Sequence, residues 1–371
     1  MVTVINDTVA AATTAAVATH VDPTSLMNQP LTTSRHHDSI YDGNLSDLVF
    51  MTTNLPEDVP FPDGAWKAFE VIHALFTITA LVINCLSLGV IYGIVMRLTP
   101  PLQMLTSLGF ADMLAPWAVM TLYFPDSACQ HQIHSALMLL AHNASALTLL
   151  VYPIVHNIAT YRPLQYEKIV TQRRTWITIN LIWIVSIVTA HLHFLAVFLH
   201  QDPRTPYCDQ VQQHFGLALI MTAAILATTV FVVVLTYGRL YLHLRPLEAI
   251  AGNSTEPRHS TKGVITGILL VAVFLIGWGP FLIAKLEQVR QEPHLHPNLL
   301  IGLAASEIFV LLMSIIHPVI YGMRMTNMYT GYYRLYQRTR ACIVTMWYRA
   351  RNKTDGDDQP STPLNPIESI C

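Results

Sequence analysis

Charge is what this sequence has least of. Only 12% of its 371 residues are Asp, Glu, Lys or Arg, against 52% hydrophobic, where a soluble domain carries about 25% charged residues. That balance argues against a cytosolic globular enzyme. The net charge of −2 supplies no field for nucleic acid, which is not an expected partner. Five cysteines are too few for a secreted disulfide scaffold. No nucleophile and base stand at a motif spacing, so neither catalytic residues nor an enzyme cofactor are expected. A membrane protein is the class that remains.

The apolar residues are gathered into runs. Uncharged stretches cover 71–96, 127–161, 175–201, 210–238 and 263–284, each long enough to cross a ~30 Å hydrocarbon layer as a helix, which takes about 20 residues. Two more, 102–124 and 297–323, are broken by one acid each, Asp112 and Glu307. The expected fold is an all-α membrane protein, a seven-transmembrane helix bundle. With the N-terminus outside, only Arg35, Lys67, Arg204, Lys285 and Arg290 of the 21 basic residues fall on the outer side. The positive-inside rule then places the C-terminus in the cytosol. The sequons at Asn6 and Asn44 lie outside, as glycosylation requires, while those at Asn253 and Asn352 face the cytosol.

Residues 1–67 are expected to form a disordered extracellular tail and 68–326 the bundle. Residues 327–341, where Tyr329, Tyr333 and Tyr336 stand beside Arg334 and Arg338, suit a short helix lying in the interface against membrane lipids. Residues 342–371 follow as a cytosolic tail. There is no internal repeat of the kind seen in secondary transporters.

Asn84, Asp112, Trp183, Trp278-Gly279-Pro280 and His317-Pro318-Val319-Ile320-Tyr321 stand in order along residues 68–341. In that order and spacing the chain resembles the rhodopsin-like (class A) G-protein-coupled receptors. Lys262-Gly263-Val264-Ile265-Thr266 and Ser314-Ile315-Ile316-His317-Pro318 look most like the melanocortin, lysophospholipid, cannabinoid and adenosine receptor cluster. The fifth span lacks the family's proline and keeps Tyr237, similar to the melanocortin branch. The resemblance implies a plasma-membrane receptor for an extracellular ligand, with a heterotrimeric G protein and arrestin as cytosolic partners.

Departures from the family pattern are equally specific. Its Asp-Arg-Tyr triplet falls on Val155-His156-Asn157, which replaces a permanent cation by a histidine that is mostly neutral at pH 7. His317 stands where the family has Asn. By resemblance Asp112 would hold a sodium ion with Ser145 and Ser314; the alternative is a structural acid, protonated or paired with His317. Glu307 lies toward the outer cavity, near His73 on the first span and Lys285 on the sixth. It either receives a cationic ligand group or forms an internal ion pair with one of those two.

Around it the cavity is defined mainly by absences. Met138 replaces the aspartate of aminergic receptors, and Leu311 the retinal lysine of opsins. Leu122, His131 and Ser135 replace the calcium-holding acids of melanocortin receptors. With Trp278, Phe281 and Leu282 the lining is apolar with one acid, consistent with a lipid or hydrophobic peptide. The 17 histidines, His131 and His134 among them, raise metal or proton gating against the plainer reading of solvated side chains.

The family joins the regions of Cys129 and Cys208 by a disulfide, and Cys342 is a palmitoylation candidate against an unmodified thiol. The implied mechanism is a population shift. Ligand contacts bias the packing of Trp278, the sixth helix pivots at Pro280, and an inner crevice opens near Pro318 and Tyr321. The competing expectation, raised by the substituted triplet, is a non-signalling scavenger, trafficking partner or heteromer subunit.

Overall fold

The computed structural model describes residues 63–93, 99–123, 129–250, 259–291 and 297–354. Among them every extended regular element is a helix. In chain order these are α1 (Asp63–Gly93), α2 (Pro100–Met120), α3 (Gln130–Tyr161), α4 (Pro163–Ile169), α5 (Gln172–Ala190), α6 (Leu192–Leu199), α7 (Tyr207–Gln213), α8 (Phe215–Ile250), α9 (His259–Gln291), α10 (Pro297–Arg324) and α11 (Thr326–Thr354).

Helices α1, α3, α8, α9 and α10 are each long and apolar enough to cross a membrane. Helices α5 and α6 make a sixth span broken by a bend of 56° at His191. The seventh is α2. Its 21 residues would reach about 31 Å, but it is less apolar because its buried surface carries Gln103, Thr106, Ser107 and Asp112. Helix starts follow local chemistry. Pro100 and Pro101 open α2, where a missing N–H costs nothing, and the Thr171 hydroxyl caps α5 by accepting from the Arg174 amide at 3.3 Å.

Packing is arranged for a lipid surround. Ile78, Val82, Phe231, Val234, Ile276 and Ile283 point outward, whereas Asn84, Asp112, His142, Asn143, Ser145, Ser314 and His317 are buried. A bundle in hydrocarbon keeps its polar groups inside, where other helices satisfy them. Helix α3 runs through the centre and is the most enclosed span. Helices α9 and α10 meet across Gly277, where a Cβ would lie 2.6 Å from the Met313 Cβ and 3.1 Å from the Phe309 carbonyl oxygen. The bare glycine permits that seam.

Two boundaries differ from expectation. Helix α11 does not stop at residue 341 but continues to Thr354, and the fourth span is bent with neither proline nor glycine at the break. The sequons at Asn6 and Asn44 lie outside the described residues.

Candidate functional site

One face of α3 organises the interior. His134, Met138, His142 and Ser145 follow at steps of four, four and three, which stacks them along the side facing the other spans. All are buried.

At the outer level sits Glu307 of α10, 3% exposed. Its Oε1 is 3.0 Å from His134 Nε2, and its Oε2 is 3.5 Å from His73 Nε2 on α1. His134 Nδ1 lies 2.9 Å from the Ala118 carbonyl oxygen on α2. A carbonyl only accepts, so Nδ1 carries a hydrogen, and the bond from Nε2 to Glu307 holds one proton wherever it resides. The His134–Glu307 pair is thus neutral overall, and the cluster ties α1, α2, α3 and α10 together. The His73 contact matches one of the two expected pairings. Lys285 does not supply the other, since its Nζ donates to Ser135 Oγ at 3.2 Å and Gln288 Oε1 at 3.3 Å and lies 5.7 Å from the Phe281 ring centroid.

Sequence reasoning missed His134 by grouping it with His131. The structure separates them, His131 exposed and His134 buried. The four-residue step to Met138 was the available signal.

Below this level Met138, Trp278 and Phe281 are fully buried, and Leu282 nearly so. Trp278 packs edge-on against Phe281 at 5.6 Å and against His142 at 5.1 Å. Pro280 lies inside α9 just beyond.

The third level holds Asp112 and His317, both at most 1% exposed. His317 Nδ1 is 3.0 Å from Asp112 Oδ2, and its Nε2 is 3.1 Å from the Leu270 carbonyl oxygen. By the same argument Nε2 bears a hydrogen, one proton bridges Nδ1 and Oδ2, and the pair has no net charge. His317 therefore links α10 to α2 and α9. Asn84 joins α1 to α10 by donating to the Ser314 carbonyl oxygen at 2.8 Å, while the Ser314 hydroxyl donates to Val310 O at 3.1 Å. Of the three residues expected around a sodium ion, Asp112 has one oxygen on His317 and the Ser314 hydroxyl is turned to its own helix, while Asp112 Oδ1 and the Ser145 hydroxyl are buried without a hydrogen-bond partner. The acid paired with His317 is the alternative whose contact is seen.

At the inner end Val155 is buried, His156 stacks edge-on against Tyr152 at 4.8 Å, and the Asn157 amide oxygen has no hydrogen-bond partner. The contacts there are light. Tyr161 donates to the Arg239 carbonyl oxygen at 3.0 Å, and Arg324 Nε donates to Thr266 Oγ1 at 3.4 Å. Tyr237 lies over Gly267, where a Cβ would collide with its phenol oxygen. Tyr321 is wholly buried, one turn past Pro318, which lies inside α10.

The profile of the seven-transmembrane receptors of the rhodopsin family matches residues 84–321, more than half of the chain. The chain belongs to that family. Among similar proteins are melanocortin receptor 5 of Bos taurus, 25% identical over 77% of this chain and 88% of its own length, and that of Ovis aries, 26% identical over the same shares. The Mus musculus protein of that name is 24% identical over 70% of this chain and 81% of its own. The receptor is a multi-pass membrane protein without enzymatic chemistry as its family role.

Cys129, just ahead of α3, and Cys208 of α7 are bonded, with their Cα atoms 5.1 Å apart. Cys129 precedes α3 in the left-handed region, φ 66°, a conformation costing a non-glycine residue roughly 1–2 kcal/mol, and the cross-link holds it there. The loop beyond is built round buried Gln210, whose Nε2 donates to the Asp202 and Thr205 carbonyls at 2.7 Å each. On the other side of the bundle, Tyr332 of α11 shares a 2.6 Å hydrogen bond with Ser87 of α1; burial pushes its phenol pKa up, and that bond partly offsets the rise. Cys342, the palmitoylation candidate, is half-buried on α11.

Proposed function

We propose that the receptor takes an apolar extracellular ligand, a lipid in the first place, into the space between α3, α9 and α10, with its N-terminus outside and its C-terminus in the cytosol. The observation that carries this is the neutralised Glu307. With His134 and His73 on its two oxygens, the acid is compensated from within, and a ligand need not bring a cation. Met138, Phe281 and Leu282 then favour hydrophobic contact. Contacts at this level bias Trp278, α9 swings about Pro280, and the inner crevice opens to a G protein, with arrestin as a later partner.

The relatives' name supports a second ligand reading, a melanocortin-type peptide; the loss of acids at Leu122, His131 and Ser135 speaks against it. A different second reading, a non-signalling heptahelical scavenger, trafficking partner or heteromer subunit, is favoured by Val155-His156-Asn157.

The test is G-protein dissociation in cells expressing the receptor, challenged with lipid and peptide libraries, alongside Val155→Asp with His156→Arg. A lipid hit in the wild type, with lower basal signal and a larger ligand-driven rise in the double variant, is the expected result. A silent wild type that the double variant does not rescue would establish the non-signalling reading. A response to peptides alone would replace the lipid.

A further inference from the structure

Asn143 is oriented by Thr189. The Thr189 hydroxyl donates to the Val185 carbonyl oxygen at 2.7 Å, so its oxygen accepts from Asn143 Nδ2, 3.0 Å away. The Asn143 amide oxygen is therefore the atom that faces His142 Nδ1 at 3.2 Å. An amide oxygen accepts, which puts the hydrogen of the imidazole on Nδ1. His142 is fully buried and its partner is an amide rather than a carboxylate, so the neutral ring presents Nε2 as a bare acceptor. Nε2 has no hydrogen-bond partner. Beside it, at 5.1 Å and 83° between ring planes, Trp278 offers the opposite: Nε1–H is a donor only, and it too is buried and unpartnered.

An unpartnered acceptor and an unpartnered donor on neighbouring rings call for one group that does both. Leaving either unmet is costly in a dry interior. Carbonyls and ethers can satisfy only the indole, and ammonium groups only the imidazole. A hydroxyl satisfies the two together.

We propose that His142 and Trp278 read a hydroxyl group brought in below Met138 and Phe281, so that the ligand is an apolar molecule carrying an alcohol. This rests on the apolar-ligand reading above and names its polar end. Asn143 and Thr189 are positioning residues, because they set which nitrogen of His142 is bare. The same hydroxyl contact would couple the ligand directly to Trp278, the side chain whose packing α9 follows.

The experiment uses the full receptor in phosphatidylcholine nanodiscs with three probe classes of matched chain: dodecanol and oleyl alcohol, their methyl ethers, and the corresponding hydrocarbons. Melting shifts are followed across probe concentration, with the indole N–H resonance of Trp278, assigned by its loss in W278F, as a second readout. The alcohols are expected to act at about tenfold lower concentration than the ethers, and the ethers below the hydrocarbons. His142→Phe should make alcohol and ether equal, since only the imidazole distinguishes them. Trp278→Phe should make ether and hydrocarbon equal.

The wild-type comparison needs no variant to fold. If alcohol and ether act alike on it at both chain lengths, His142 and Trp278 read no ligand hydroxyl and the inference is overturned, while the apolar-ligand reading stands. If no probe stabilises the receptor, both readings fail.

Discussion

The two ends of the bundle are held by different chemistry. At the end that carries Glu307 there are a disulfide, a loop tied round Gln210 and a carboxylate between two histidines, the last joining four spans through buried, charge-compensated contacts. At the other end, around Val155-His156-Asn157, the bridges among the described residues include Tyr161 on the Arg239 carbonyl and the His243 ring, a long Arg324–Thr266 bond and the Tyr332–Ser87 hydroxyl pair. Hydrogen bonds of this second kind contribute only about 1 kcal/mol each, whereas breaking a buried compensated pair costs several times that. Among the described residues, the end that holds Glu307 is therefore the more firmly joined of the two.

The largest expected break in that contrast comes from Cys208→Ala. Opening a loop of 79 residues removes roughly 3–5 kcal/mol in the chain-entropy account and frees Cys129 from its left-handed conformation. Surface expression should fall several-fold; normal expression, with both thiols found free in wild type by non-reducing peptide mapping, would remove the disulfide from the outer scaffold.

Glu307→Gln comes next. It keeps shape and loses charge, leaving His134 and His73 facing a neutral amide, at a cost of about 2 kcal/mol. At matched surface expression, ligand potency or basal signalling should change. A responsive receptor showing neither would dismiss Glu307 both as lock and as ligand contact.

The smallest effect sharpens the boundary between the two ends, at His317. The wild-type melting temperature should be the same in sodium and potassium chloride of equal strength, because the proton shared with His317 already balances the Asp112 carboxylate. His317→Asn should uncover a sodium-dependent rise of about 1 kcal/mol. Sodium stabilisation of the wild type would show that the ion and the imidazole coexist.

The bundle was legible because hydrocarbon demands long uncharged runs, and the disulfide because the family that the chain resembles joins the regions of Cys129 and Cys208. Asp112 and Glu307 announced themselves as acids in such runs, and His317 and His73 stood out as partners for them, but the second partner of Glu307 did not. Pairing is a matter of three dimensions, and His134 is invisible among 17 histidines until α3 is wound and its Met138 face turned inward. The bend at His191 has no sequence mark, since neither proline nor glycine is there. Helix α11 ran past residue 341 because Ile343, Met346 and Trp347 continue the apolar stripe of Met328, Tyr332 and Leu335, a continuation masked by the arginines between them.

The seam at Gly277 fixes a lever. Helix α9 is anchored to α10 there, one turn from Pro280, and its inner end at His259 lies 21 residues from the proline, an arm of about 32 Å. Each degree of bend moves that end by about half an ångström, so admitting a helix roughly 10 Å across takes a bend of about 18°. A change of a few tenths of an ångström where Trp278 meets its neighbours is multiplied several times at the cytosolic end. Any side chain larger than hydrogen at position 277 would shift the fulcrum itself.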